Sequence, residues 1–322
     1  MAASTAHAAR ADAVGVEQHP PQWSAMRALV ARNQAACKGA PHAALAHSAC
    51  VASVMLWSRG LVPCDAAVHA PLVHAHSDDV DTTGVPAAHA EEVRAVHHAV
   101  ARHVPRIKQC AVTQELWCVL SQWTPSSVER PEVHPATQRV WLVAPRPRAQ
   151  SRVRKPDVVE LAVHAMQQGI ERVVVLMPSA ATFNHHCRQA VRDAQEDGAE
   201  GRPPIVFEVI EYSQLCGVKP MHVLVPRMHV VPRSEHDDVL RAWAADGAAP
   251  HDASASLPRM LSSDAMARWF GWSEGTLVRY TARLGHGTAA FDMVRRVVEE
   301  NTASSTYSAS GERKRASGWI IV

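Results

Sequence analysis

The sequence predicts a mixed α/β protein in two parts: a layered α/β unit ending near residue 218, then a small α+β domain. Three observations carry this. Between Arg139 and Tyr212, short Val-rich apolar runs alternate with segments of helical spacing. After Lys219 that alternation gives way to a helix, a linker and two strand-like runs around LGHG. Hydrophobic residues make up 47% of the 322 residues, enough for a buried core.

In chain order, Met1 to Pro21 is rich in Ala, His and Pro and has no period that could bury a face, so residues 1–21 are expected to form a flexible tail. Trp23 to Cys37 and Ser48 to Arg59 have helical spacing. In the second, Val51, Val54 and Met55 share a face, and Gly60 suits the C-terminal cap. His69 to Val104 begins as loop, with Pro71, Gly84 and Pro86, and ends in the helical AEEVRAVHHAVARHV. RVWLVAP from Arg139 is a strand, KPDVVELAVHAMQQG a helix with Gly169 past its end, and ERVVVLM a strand. PSAATFNHHCRQAVRDAQE reads as a helix started by Pro178, and IVFEVIEY as a third strand. Runs apolar on both sides of the pleat place these strands inside, and the alternation implies parallel pairing through helical crossovers.

Beyond Lys219, MHVLVP reads as a strand and Ser234 to Ala245 as a helix. Ser263 is expected to cap a short helix with Asp264 in its first turn, Ala267 and Phe270 on one face, and Gly271 as its stop. Gly275 then permits sharp entry into a hairpin of GTLVRYTA and AAFDMVRRVV. Residues 301–322 are Ser/Thr-rich with a basic GERKR, and form a second expected tail.

Several function classes are disfavoured. The net charge of +2 infers no polyanion partner, so a nucleic-acid surface would have to be local. Seven cysteines, scattered with no CxxC pair, suit reduced and mostly buried thiols in an intracellular compartment. The N-terminus lacks an apolar signal core, and no run of about 18 apolar residues occurs. Twenty histidines invite a metal, with His74, His76 and Asp78, His97 with His98, or His185 with His186 as candidates. Adjacent helical histidines diverge by about 100°, and no HExxH is present, so no metal is expected. Without GxGxxG or GxxxxGK[ST] there is no phosphate cradle, and no cofactor is expected.

The C-terminal motifs, taken in order, resemble a known family. HVLVP from His222 to Pro226, LPRM from Leu257 through Pro258 and Arg259 to Met260, DAMARWFG from Asp264 through Arg268 to Gly271, GTLVRY from Gly275 to Tyr280, and Val294-Arg295 follow the pattern of the shared fifth subunit of eukaryotic nuclear RNA polymerases and its archaeal counterpart. Ala265 stands where that family has proline, Met228 where it has histidine, and Glu274 where a basic residue is usual. Upstream, VWLVAPRPR, GIERVVVLMPSAAT and FEVIEYSQL are similar to the sheet of the eukaryotic jaw domain, whereas residues 61–132 match it poorly. These departures, with the added tails, would fit a divergent or viral copy.

The resemblance implies an N-terminal jaw domain over 22–218 with a restriction-endonuclease-like layered sheet and a divergent insert at 61–132, then a polymerase-assembly domain over 219–300. It implies a non-catalytic subunit of a DNA-directed RNA polymerase, working in the nucleus or in a viral factory or virion. The partners would be the largest subunit, other polymerase subunits and downstream duplex DNA. His222, Pro226, Pro258, Arg259, Asp264, Arg268, Gly271, Gly275 and Arg295 would form the assembly interface. Arg146, Arg148, Arg152, Arg154 and Lys155, in PRPRAQSRVRK, form a basic cluster suited to sequence-independent phosphate contact; a solvated loop would have the same composition. Met177, Met260, Met266, Trp269 and Trp272 are expected to pack, with Trp272 the one that could instead face a partner. A nuclease of the related fold needs a carboxylate pair and a lysine; Pro156-Asp157 is present, but the only carboxylate-x-Lys is Glu312 with Lys314, in the tail. The alternative is a free-standing DNA-binding or transcription-regulatory protein that has kept the fold.

Overall fold

Alternation along the strands decides which side chains go where. The computed structural model describes residues 20–40, 42–64, 82–112, 116–128, 130, 138–146, 153–179, 182–196, 205–222, 225–244, 257–283 and 290–299. A five-stranded sheet runs in the order β1 (Leu61–Pro63), β2 (Trp117–Pro125), β3 (Val140–Pro145), β4 (Arg172–Met177), β5 (Val206–Glu211). β1, β2 and β3 pair antiparallel, and β3, β4 and β5 parallel. On β3, Val140, Leu142 and Ala144 face one core while Trp141 and Val143 face a second. The second core is closed by α4 (Lys155–Gln167) and α5 (His185–Glu196).

The first core is covered by α1 (Pro21–Cys37), α2 (Ala43–Ser58) and α3 (Ala87–Val112). α2 is buried almost all round, from Leu45 to Ser58, rather than along the single face suggested by Val51, Val54 and Met55. Thus the α/β unit has three layers, helices on either side of a sheet whose central strands are apolar on both faces.

A second sheet has the order β6 (Met228–Val230), β8 (Leu277–Arg283), β9 (Ala290–Val298), β7 (Arg259–Leu261). β8 and β9 form the expected antiparallel hairpin, whereas β7 pairs parallel to β9. Two short helices accompany it, α6 (His236–Trp243) and α7 (Ala265–Phe270). Met260, Trp269, Phe270, Val278 and Val297 belong to the same buried cluster as Trp23, Met55 and Trp57. One apolar core therefore joins the second sheet to the first three helices.

Several expectations are corrected. The described residues of MHVLVP form no strand: Lys219–Met221 is a 3-10 turn, and the strand comes later, at Met228–Val230, with Pro226 between them; Val223 and Leu224 lie outside the described residues. The helix assigned to Pro178 starts at His185, because Asn184 accepts the Cys187 N–H at 3.0 Å and so sets the first turn. Pro21 already belongs to α1. Residues 61–132, expected as a divergent insert with loop and helix over 69–104, contribute two strands of the five-stranded sheet as well as α3. The LGHG turn, the tails before residue 20 and after 299, Arg148 and Arg152 lie outside the described residues. Cys37, Cys50, Cys110, Cys118 and Cys187 are buried free thiols, as expected, and Cys216 is exposed. Among the described residues, no helix is long and apolar enough to cross a membrane.

His103 of α3 is 1% exposed, and neither ring nitrogen has a hydrogen-bond partner. Burial, helped by the Arg106 charge, pushes it down from 6.5 to about 3, and burial also lowers His97 to about 4. A histidine with a depressed folded value gives up no stability above 6.5. Below that, the unfolded chain takes the proton first, so stability falls as pH falls toward the folded value. His103 alone is expected to contribute a slope of about 1.4 kcal/mol per pH unit over that window. Urea midpoints at pH 7.5, 6 and 5 measure it, and His103→Leu should flatten the decline.

Candidate functional site

α7 is six residues long, too short to stand without caps at both ends. Asp264, not Ser263, is its N-cap: the carboxylate accepts the Met266 N–H at 2.8 Å. Asp264 has extended backbone, as a cap requires, while its side chain meets the positive end of the helix. At the other end Gly271 has φ +69°, and the Trp272 N–H reaches back to the Ala267 carbonyl at 2.9 Å.

The last carbonyls of α7 are taken by a residue from α2's end, more than 200 positions earlier. Arg59 donates from Nε to the Trp269 carbonyl at 2.9 Å and from Nη2 to the Arg268 carbonyl at 2.5 Å. Its outer edge forms a two-pronged pair with Glu208 of β5, both contacts at 2.7 Å, with both side chains under 10% exposed. A Cβ on Gly271 would sit 3.3 Å from the Arg59 Nε, so glycine is needed there for its backbone angle and for the room it leaves. Burial pushes the Glu208 carboxyl up. The charge and hydrogen bonds of Arg59, with the charges of Arg172 and Arg268, outweigh that and hold it below the usual carboxylate range. Arg172 closes the cluster, its Nη1 at 3.5 Å from the second Glu208 oxygen.

Residues 219–288 match the family model described as RNA polymerase Rpb5, C-terminal domain. This part of the chain is similar to the Rpb5 C-terminal domain. No curated protein matches the chain. The Rpb5 match contains every assembly residue expected from the sequence except Arg295, and it begins at Lys219 on the turn that packs against α7.

Within the Rpb5 domain those residues do not form one surface. His222 is exposed just after that turn and Pro226 is half-buried; Asp264, Arg268 and Gly271 lie on or beside α7. Arg268 is half-buried, its Nη2 held by Gln214 at 3.2 Å. Gly275, at φ +85°, donates to the Val297 carbonyl where the chain enters β8. Arg259 follows half-buried Pro258 and stands exposed opposite Arg296 in the β7/β9 register. Arg295, one residue from Arg296, lies on the other face, with its guanidinium 5.2 Å from the Tyr280 ring centre. Trp272 packs as expected: it is 4% exposed and stacks on Phe270 at 4.9 Å, not facing a partner.

Of the basic cluster, the described members are partly neutralised within the chain. Arg154, at the N-cap of α4, lies 3.4 Å from Asp157, and Lys155 reaches Asp193 at 2.9 Å. Arg146 follows β3, its N–H bound to the Leu116 carbonyl at 2.8 Å.

Sequence reading missed Arg59, Arg172, Glu208 and Lys219. A signal existed for two of them: Glu208 interrupts an apolar strand, and Arg59 ends a helix buried on all sides. Charges in such places are kept only with partners.

Proposed function

We propose that the chain is a non-catalytic subunit of a DNA-directed RNA polymerase, working in the nucleus or at a viral site of transcription. Its C-terminal domain docks on the largest subunit and its N-terminal domain forms part of the jaw that meets downstream DNA. The observation that carries this is the Rpb5 C-terminal domain match over 219–288, which implies a role as a polymerase subunit. Two features support the further reading. The capped α7 and the β8/β9 hairpin present a hydrogen-bonded surface, and Arg146, just after β3, and Arg154, at the start of α4, offer cations. The units 22–218 and 219–300 divide the work between DNA and assembly.

Affinity purification of the tagged full chain tests the proposal: the large polymerase subunits should be recovered in near-equal amounts, and recovery of none would remove it. Substituting Arg146, Arg148, Arg152 and Arg154 by Ala should lower the salt slope of DNA engagement by the complex, by roughly one unit for each phosphate no longer neutralised. An unchanged slope would take the basic loop away from DNA.

A further inference from the structure

Around α7 the charges do not balance locally. Glu208 commits both oxygens to Arg59 and Arg172, and Asp264 commits one of its oxygens to the cap. Two cations remain. Arg268 is half-buried and, among the described residues, its side chain donates only to the neutral Gln214 oxygen, at 3.2 Å, while its buried Nε finds no acceptor there. Lys219 is half-buried on the 3-10 turn that packs against α7, and no acceptor among the described residues bonds its ammonium.

The two cations repel one another. Burial first, then the Arg268 charge, draws Lys219 below the usual lysine range, against weaker attraction from Cys216 and Asp264. Burial likewise lowers Arg268, and Arg59 adds to it against Glu208. Glu208 and Asp264 offset these half-desolvated cations only in part, since Glu208 is already bonded to Arg59 and Asp264 to the cap, and an external anion beside them would relieve the rest.

We infer that Arg268 and Lys219 form a receptor for one acidic side chain, Asp or Glu, of the protein subunit on which this domain docks. The inference rests on the assembly reading given above. A carboxylate suits the place better than a phosphodiester strand. A strand needs a row of exposed cations along its backbone, whereas among the described residues Arg268 and Lys219 alone stand beside α7 without a bonded carboxylate, both half-buried, with the Asp264 carboxylate nearby to repel extended polyanions.

The test uses the tagged full chain purified with its partners after nuclease treatment, then exposed to a water-soluble carbodiimide, which joins a lysine amine to a carboxylate beside it. Mass spectrometry should find Lys219 joined to an Asp or Glu of a large polymerase subunit. Lys219→Glu should cut recovery of that subunit about ten-fold, while Lys219→Arg, which keeps the charge, should restore it. Thermal melting of each variant should match the parent, separating a docking defect from a folding defect. Full recovery with Lys219→Glu and no Lys219 cross-link overturns the receptor and leaves the polymerase assignment standing. Loss of the partners on nuclease treatment alone overturns it in favour of nucleic acid. Parent chain that recovers no polymerase subunit under any condition overturns both readings.

Discussion

Arg59→Ala is expected to lower the unfolding free energy by about 3–5 kcal/mol, the range for removing one member of a buried ion pair. The loss has two parts. Glu208 would keep only Arg172, 3.5 Å from one oxygen, and its other oxygen would be buried without a donor. The Trp269 carbonyl, at the end of α7, would also lose its donor and the Arg268 carbonyl would keep only the Gly271 N–H at 3.3 Å, so the short helix would fray where it meets α2. Urea denaturation measures the fall. A double replacement, Arg59→Met with Glu208→Leu, is the informative control: it removes both charges together and should recover much of the loss in Glu208's surroundings. It leaves the Trp269 carbonyl without that donor, so recovery should be incomplete by about 1–3 kcal/mol. If the double replacement is as unstable as Arg59→Ala alone, the stranded carboxylate is not the main part of the effect.

That joint was beyond reach of sequence reasoning because its members are 149 residues apart, and nothing local to either pairs them. What was legible had local causes. β3, β4 and β5 are continuous apolar runs, and both their existence and their parallel order follow from the alternation with helices. α7 and the hairpin after Gly275 announced themselves through cap and turn residues. β2 was hidden because Ser121 and Gln122 interrupt its apolar residues and a bulge between Val119 and Ser121 breaks the two-residue period. In HVLVP the opposite happened. An apolar run looks like a strand, but Pro226 removes a ladder donor and the pairing passes to Met228–Val230. The faces on which the candidate site residues lie were not legible in the sequence. Arg295 and Arg296 point to opposite sides, a distinction that depends on register with β8 and β7.

Trp23→Ala should destabilise the protein by about 3–5 kcal/mol, as large aromatic truncations in a core do. The position has a consequence beyond the missing volume. Trp23 of α1 meets Trp57 of α2 edge-on at 5.1 Å and Phe270 of α7 edge-on at 6.4 Å, so one side chain touches both the N-terminal helices and the second sheet's helix. Edge-to-face pairs of this kind contribute about 0.5–1.5 kcal/mol beyond area burial. A double-mutant cycle of Trp23→Leu and Phe270→Leu should return a coupling in that range, because each change leaves the other ring facing an aliphatic group instead of an aromatic edge. A coupling near zero would mean that the two rings merely share a cavity wall. The α1–α7 contact would then rest on general burial, and Arg59 would be left as the specific link between the two halves.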